Sequence, residues 1–304
     1  MITEGYLARH YQGRTDGRDP AIIDIAQDHA LHLLHEAGIF ELGAVLKGGT
    51  AIRKFRAGNA GRFSTDLDFA AADEPVAELI LETLDDADID GFHFGVERLN
   101  EHRRARLHVD TPLGSPAIPA RLDLSPKAVW LGPELLAPIA LPIHDRYSFE
   151  LAATPAMRVE EVASEKLARY RRTSLTRDLY DLAWIAQRVL DEPLVRRLTV
   201  LKIWHDVIDD GLGGRPFQPA EILDPRRAAD FNPEAIGYLT TPVDVPGWIS
   251  TVERRYQFLA ELDDEERGWA RCNEGDRWAV EQAVADLMES DTAPGSDTFP
   301  APTS

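Results

Sequence analysis

The residues able to do chemistry are concentrated between positions 47 and 69, KGGTAIRKFRAGNAGRFSTDLDF. Asp66 and Asp68 stand two apart in an alternating acid–apolar run, so on a strand both carboxylates leave from one face. Two adjacent carboxylates repel each other, and a divalent cation is the simplest partner that relieves them. A third acid on a neighbouring strand would complete a metal cage. Asp123 in ARLDLS is placed for that role, with Leu122 and Leu124 turned to the opposite face. Gly48-Gly49 lets the main chain come close to an anion at the start of a short helix opening at Thr50, where the helix dipole adds attraction. Such a turn for a triphosphate, with an Asp-x-Asp strand and a distal Asp for two Mg²⁺ ions, supplies the parts of nucleotidyl transfer. One metal activates the attacking hydroxyl and the other neutralises the triphosphate and departing pyrophosphate. The turn is not a Walker A loop, because Lys47 precedes the glycines and no Gly-Lys-Ser/Thr follows them. Each part alone is a weak signal; their order and combination carry the reading.

A second stretch, residues 165–185 (EKLARYRRTSLTRDLYDLAWI), adds a helical constellation. Asp178 and Asp181 share a helical face, Leu179, Leu182 and Ala186 supply the buried stripe, and Lys166 shares a face with Tyr170 one helix earlier. The plain alternative is a Lys–Asp ion pair that only joins two helices. The chain has 5 Lys among its 33 basic residues, so a lysine in this arginine-preferring sequence points toward function. Lys47, beside the glycines, is a second phosphate candidate, and Ser64 either caps its turn or bonds phosphate. Arg169, Arg171, Arg172 and Arg177 form one basic cluster, and Arg103, Arg104 and Arg106 another. They read either as an RNA-backbone patch or as solvated faces balanced by neighbouring acids. His29, His32 and His35 recur every three residues with no acid cluster beside them, and Cys272 has no evident His partner, so neither a metal site nor a nucleophile is expected there.

These residues need elements to hold them. Asp19-Pro20 predicts the start of a helix whose apolar stripe runs over 22–37 and ends at Gly38. Residues 43–46 and 66–71 read as strands, with a short helix over 50–55 between them; 75–87 reads as a helix with Asp73 as its cap. Residues 92–99, 105–109 and 120–124 read as further strands, and 126–155 as a proline-bearing hinge or border without clear period. Beyond it the period is helical, over 160–172, 177–190, 194–209, 248–262 and 276–289. The layout predicts a mixed α/β unit over 1–150, a helical unit over 151–289 that completes the active-site cleft, and a disordered Pro/Ser/Thr-rich tail over 290–304.

Composition narrows the class. The chain has 304 residues, 44% hydrophobic and 28% charged, with 33 basic against 52 acidic side chains and a net charge of −19. That is a globular composition, and the acidic balance argues against a general nucleic-acid binder driven by phosphate neutralisation, though not against a local basic patch. The single cysteine excludes an internal disulfide framework and a four-cysteine zinc module, and suits a reducing cytoplasm. Neither a secretory leader nor a membrane span is expected.

KGGTAIRKF followed by RFSTDLDF resembles the signature of the AbiEii/MenT nucleotidyltransferase toxins, a branch of the polymerase-β-like superfamily. The Lys-then-RDLYDL arrangement in residues 165–185 is similar to that family's later motif. The resemblance implies an α/β (α+β) fold: a polymerase-β-like nucleotidyltransferase core with a mixed sheet, followed by a helical C-terminal domain. It implies that Gly48, Gly49 and Thr50 hold the triphosphate, that Asp66 and Asp68 bind Mg²⁺ with Asp123 as third acid, that Lys166 reaches phosphate, and that Asp181 organises that lysine or the base. It further implies an NTP substrate, a cognate antitoxin, and a tRNA 3′ end as acceptor, so that translation stops. Two other readings stay open: transfer to a protein hydroxyl, and nucleotide binding without turnover. An intact acid and lysine set disfavours the last, since binding alone does not need two metals.

Overall fold

The computed structural model describes residues 2–99 and 103–290. The tail expected to be disordered lies, from residue 291 on, outside the described residues. The chain runs α1 (Glu4–His10), α2 (Arg18–Glu36), β1 (Val45–Lys47), α3 (Gly48–Ile52), β2 (Asp66–Ala70), α4 (Glu74–Leu84), β3 (Asp88–Ile89), β4 (Phe92–Arg98), β5 (Arg104–Asp110) and β6 (Ala120–Ser125). It continues through β7 (Glu134–Leu136), β8 (Thr154–Ala156), α5 (Val159–Arg172), α6 (Thr176–Ile185), α7 (Glu192–Ile208), α8 (Ala220–Leu223), α9 (Val245–Arg255), α10 (Asp264–Trp269) and α11 (Arg277–Ser290). The mixed α/β class expected from the sequence is the one found.

The strands form one eight-stranded mixed sheet in the order β3-β4-β5-β6-β2-β1-β8-β7. β2 lies antiparallel to β1 and parallel to β6, with Asp68 opposite Lys47 on one side and Asp123 on the other. Residues 126–155 are therefore not only a border. They contribute β7 and β8, and β8 extends the sheet by pairing parallel to β1 through Leu46 and Ala156. Both strands are three residues long, too short for a period to show against the surrounding prolines.

Two cores flank the sheet. Ile22, Ile25, Leu31 and Leu34 of α2 and Ile80 and Leu84 of α4 pack with Leu67, Phe69, Phe94, Leu107, Leu122 and Leu124 of the strands. Leu67 and Phe69 are completely buried, each a contribution of about 2–3 kcal/mol. On the other side, Val45, Ile52 and Ala70 join Leu167, Leu179, Leu182, Trp204 and Tyr256 of α5, α6, α7 and the segment after α9. The central strands are thus covered on both sides, whereas β5 alternates exposed and buried residues along its length and keeps one face open. The boundary between the covered and open parts of that face runs along the ends of β1, β2 and β6, where the acids sit.

Local chemistry moves several element ends. α2 begins at Arg18 after Gly17, and Asp19 accepts a hydrogen bond from the Ala117 N–H (2.9 Å) instead of capping the helix. α6 stops at Ile185, five residues early, because Arg188 N–H bonds Ile185 O (2.8 Å) and Asp191 caps α7 by accepting from Leu194 N–H (3.0 Å). The helix expected over 248–262 starts at Val245, capped by Asp244, and gives way at Tyr256 to a tighter turn over Gln257–Ala260. The capping box of Asp263 and Glu266 that opens α10 was not foreseen, since no apolar period follows it.

Candidate active site

β1 ends at Lys47, and the chain turns through Gly48 at φ +75° into α3. That backbone conformation is open mainly to glycine, and a Cβ at Gly48 would overlap the Asp68 carboxylate. A Cβ at Gly49 would strike the Arg62 guanidinium and crowd Ser64 Oγ. The two glycines thus have distinct reasons: one admits the acid of β2, the other lets Arg62 pass beneath the turn. Gly48→Ala is expected to cost about 1–2 kcal/mol from the backbone alone and to displace Asp68, read as a lowered thermal midpoint with weakened nucleotide binding.

Lys47, Gly48, Gly49, Arg62, Ser64, Asp66, Asp68, Asp123, Glu165, Lys166, Arg169, Arg177 and Asp178 line a cleft of about 660 Å³ between the open sheet face and the α5–α6 helices. Such a volume suits a nucleotide-sized ligand. Arg104, Arg106 and Arg121 of the sheet also line it, giving eight cationic side chains against five carboxylates in a chain of net charge −19. The cleft is locally basic on an acidic protein.

Asp66, Asp68 and Asp123 share the open face. Asp68 stands directly opposite Asp123 across the β2–β6 pair, as expected. Their side chains do not converge into a finished cage: Asp66 Oδ2 is held by Arg177 Nη1 (2.9 Å) and Asp123 Oδ2 by Arg104 Nε (3.1 Å). Among the described residues no three Asp, Glu, His or Cys side chains already stand in metal-binding array. Asp68 is different. Burial, then the charges of Asp66 and Asp123, push its carboxyl up to about 6, and no cation pairs with it among the described residues. A carboxylate left in that condition, between two further hard oxygen donors, has the chemistry of a divalent-cation ligand.

The second motif forms a buried bracket. Lys166 Nζ, on α5, sits 2.8 Å from Asp181 Oδ2 and 3.2 Å from Asp178 Oδ1, both on α6. Arg62 grips Asp181 with two 2.9 Å hydrogen bonds, and Arg169 grips Asp178 with two of 2.5 Å. Burial would raise both carboxyls, but Arg62 and Lys166 hold Asp181 below its usual range, and Lys166 and Arg169 do the same to Asp178. Asp181 is 1% exposed and lies behind Lys166, not on the cleft wall. Of the two roles foreseen for it, it is placed to organise the lysine. The plain alternative is also half true: the pairs do join α5 to α6, yet Lys166 still lines the cleft. Lys47 Nζ bonds Glu165 Oε1 (3.2 Å), and although burial opposes it, Lys47 with Lys202 pulls the Glu165 carboxyl down to about 2.

Thr50 departs from expectation. Its helix starts two residues earlier than the sequence suggested, which turns the hydroxyl inward; it is fully buried and donates to the Asp66 main-chain oxygen. The side chain fixes the β2 end and is not presented to a phosphate. Ser64 is 2% exposed at the cleft floor beside Gly49. Sequence reasoning missed Arg62, Glu165 and the Arg177–Asp66 pair; the local signal for Arg62 was its place two residues before Ser64 in GRFST.

The arginine clusters are compensated, as the second of their two readings had it. Arg103 pairs with Glu74, Arg106 with Glu97, Arg171 with Glu221 and Arg172 with Asp206. Of the histidine stripe only His29 is buried, stacked on Phe92 with ring centroids 4.1 Å apart; His32, half-buried, stacks on Phe149 at 4.0 Å. Cys272 is buried. No helix among the described residues is long and apolar enough to cross a membrane.

A sheet whose central strand carries paired acids opposite a Gly-Gly turn, faced by a helical Lys–Asp bracket, is the framework of a nucleotidyltransferase. The family described as "Nucleotidyl transferase AbiEii toxin, Type IV TA system" matches residues 33–285, and the chain belongs to it. The fold is similar to MenT4, a nucleotidyltransferase toxin from Mycobacterium tuberculosis H37Rv, at 46% identity and a TM-score of 0.89, over 94% of this chain and 99% of that one. JHP933 from Helicobacter pylori is more distant, at 14% identity and a TM-score of 0.39 over 83% of this chain and 98% of its own. No curated protein matches the sequence. Family membership makes the chain a toxin-type transferase, with a nucleoside triphosphate as substrate and an antitoxin as partner.

Proposed function

We propose that the protein transfers a nucleoside monophosphate from an NTP to the 3′ end of tRNA in an Mg²⁺-dependent reaction, blocking aminoacylation and translation in the cytoplasm until its antitoxin intervenes. The observation that carries the reading is the unpaired Asp68 carboxylate beside Asp66 in a net-basic cleft that opens on the Gly48-Gly49 turn. The acceptor hydroxyl oxygen bonds the α-phosphorus, the bond to the β-phosphate oxygen breaks, and pyrophosphate leaves.

In this reading Gly48 and Gly49, with Ser64 and Lys47, hold the triphosphate, while Thr50 supports the turn from beneath. Lys166, oriented by Asp178 and Asp181, faces the charge that builds on the leaving pyrophosphate. Asp66 and Asp68, with Asp123 alongside, would hold Mg²⁺, which supplies charge neutralisation and lowers the pKa of the attacking hydroxyl. Residues 1–150 and 151–289 act as the two walls of the cleft.

The test is incubation of the purified protein with total bacterial RNA, Mg²⁺ and each α-³²P-labelled NTP in turn, resolved on a denaturing gel. Label in the tRNA band, removed by RNase and absent with Asp66→Ala, is the expected result. Label that resists RNase and yields to protease moves the acceptor to a protein hydroxyl. No label with any NTP, while nucleotide still binds, overturns turnover altogether.

A further inference from the structure

Among the described residues three ion pairs tie the helical wall of the cleft to the sheet wall: Lys47–Glu165, Arg62–Asp181 and Arg177–Asp66. They are not equivalent. Arg62–Asp181 is shut away, its side chains 9% and 1% exposed. Lys47–Glu165 makes no ion pair with the acids of β2, although the Lys47 charge acts on Asp68, its cross-strand neighbour. Arg177–Asp66 alone engages a carboxylate of the acid pair, and it does so in the open cleft, with side chains 36% and 20% exposed. The guanidinium projects from the first turn of α6, next to Asp178, and reaches across to Oδ2 of Asp66. Asp68, two residues on, has no such partner among the described residues. One of the two acids is therefore held in a direct ion pair by the protein itself and the other is not.

We propose that Arg177 is an exchange arm: it occupies Asp66 while the cleft is free of nucleotide and moves to a phosphate oxygen when the triphosphate enters, releasing Asp66 to a divalent cation. The inference rests on the nucleotidyltransfer reading and adds an order of binding to it. A cation and the guanidinium compete for the same oxygen, so metal alone binds weakly. A triphosphate is the anion that offers the guanidinium a better, bidentate partner than a single carboxylate oxygen. Metal and nucleotide then bind with positive coupling, each removing what impedes the other. Arg177 is on this account a positioning residue for the acid pair in the free protein and a phosphate ligand in the loaded one.

The test measures Mn²⁺ alone, by the electron paramagnetic resonance of free Mn²⁺, and inorganic pyrophosphate alone, by calorimetry. Arg177→Gln is expected to tighten Mn²⁺ by roughly threefold to tenfold and to weaken pyrophosphate by a similar factor. Arg121→Gln is the control for a general change of field. Arg121 stands opposite Asp66 on β6, lines the same cleft and makes no ion pair among the described residues, so its loss should change Mn²⁺ affinity less than about twofold. Unchanged or weaker Mn²⁺ binding in Arg177→Gln overturns the exchange, as does equal tightening in Arg121→Gln. Asp66→Asn separates the two layers. If it abolishes Mn²⁺ binding while Arg177→Gln fails to tighten it, only the exchange falls; if it leaves Mn²⁺ binding intact, the metal reading of the acid pair falls as well.

Discussion

Asp68→Asn is expected to abolish nucleotidyl transfer and at the same time leave the metal-free protein as stable as the parent or more so. The two halves have one cause. Asp68 sits between Asp66 and Asp123, packed over Gly48, with no cation against it among the described residues. In the metal-free protein that negative charge is desolvated and repelled from both sides, and the fold carries the cost. Asparagine keeps the volume and an oxygen but removes the charge, so about 1–2 kcal/mol of repulsion is relieved. The same change removes a hard, anionic oxygen from the place where the proposed function puts Mg²⁺. Replacing a group that only orients a metal ligand already costs 10–100-fold, so loss of a ligand should exceed about 10²–10³-fold. Transfer assays and urea denaturation of the two proteins, with and without Mg²⁺, give both halves. Addition of Mg²⁺ should stabilise the parent and not the variant. A strongly destabilised Asp68→Asn would mean that the carboxylate has a structural partner and would remove the main support for a metal site.

The parts of this site that could be read from sequence are those governed by short-range geometry. The period of two placed Asp66, Asp68 and Asp123 on one face and Leu67, Leu122 and Leu124 on the other, and the register of β2 with β6 agrees. The helical period likewise put Asp178 and Asp181 on the side that meets Lys166. The missed contacts all come from chain crossings. Arg62 and Asp181 are 119 residues apart, Arg177 and Asp66 are 111 apart, and nothing in either segment names its partner. Arginine clusters gave a misleading signal for a related reason: a run of like charges along the chain says nothing of the acids that neighbouring strands and helices bring to it. Thr50 shows a subtler limit. Its residue type suited phosphate binding, but the helix already runs from Gly48, and the hydroxyl is turned inward onto the Asp66 carbonyl.

The largest stability effect is expected away from the cleft, at Asp24 on α2. This carboxylate is 1% exposed and accepts from His10 Nε2 (2.8 Å), Arg53 Nη2 (3.2 Å) and Lys54 Nζ (3.1 Å). Arg53 is itself 1% exposed and follows α3 directly, so the cluster anchors the helix that opens at the Gly48-Gly49 turn. Asp28 takes a share of Lys54 (2.8 Å) and accepts from the Tyr147 hydroxyl (2.7 Å), and cannot replace Asp24 for Arg53. Asp24→Ala leaves a buried guanidinium without its anion, a loss of about 3–5 kcal/mol, or on the order of 10 °C in thermal midpoint. That figure measures a broken pair and does not mean that the intact cluster outperforms an apolar core of the same shape. The pH dependence follows from the same contacts. Burial alone would raise the Asp24 carboxyl, but Arg53, Lys54 and His10 hold it well below the ordinary range. A carboxyl depressed in the folded state contributes its full stabilisation above the unfolded value near 4, and loses it progressively as pH falls below that. The parent should therefore lose stability steeply from about pH 4 downward, and Asp24→Asn should flatten that limb while being less stable at pH 7. Urea denaturation at pH 7, 5 and 3.5 reads both, and parallel acid limbs for the two proteins would show that the cluster is not what acid disrupts.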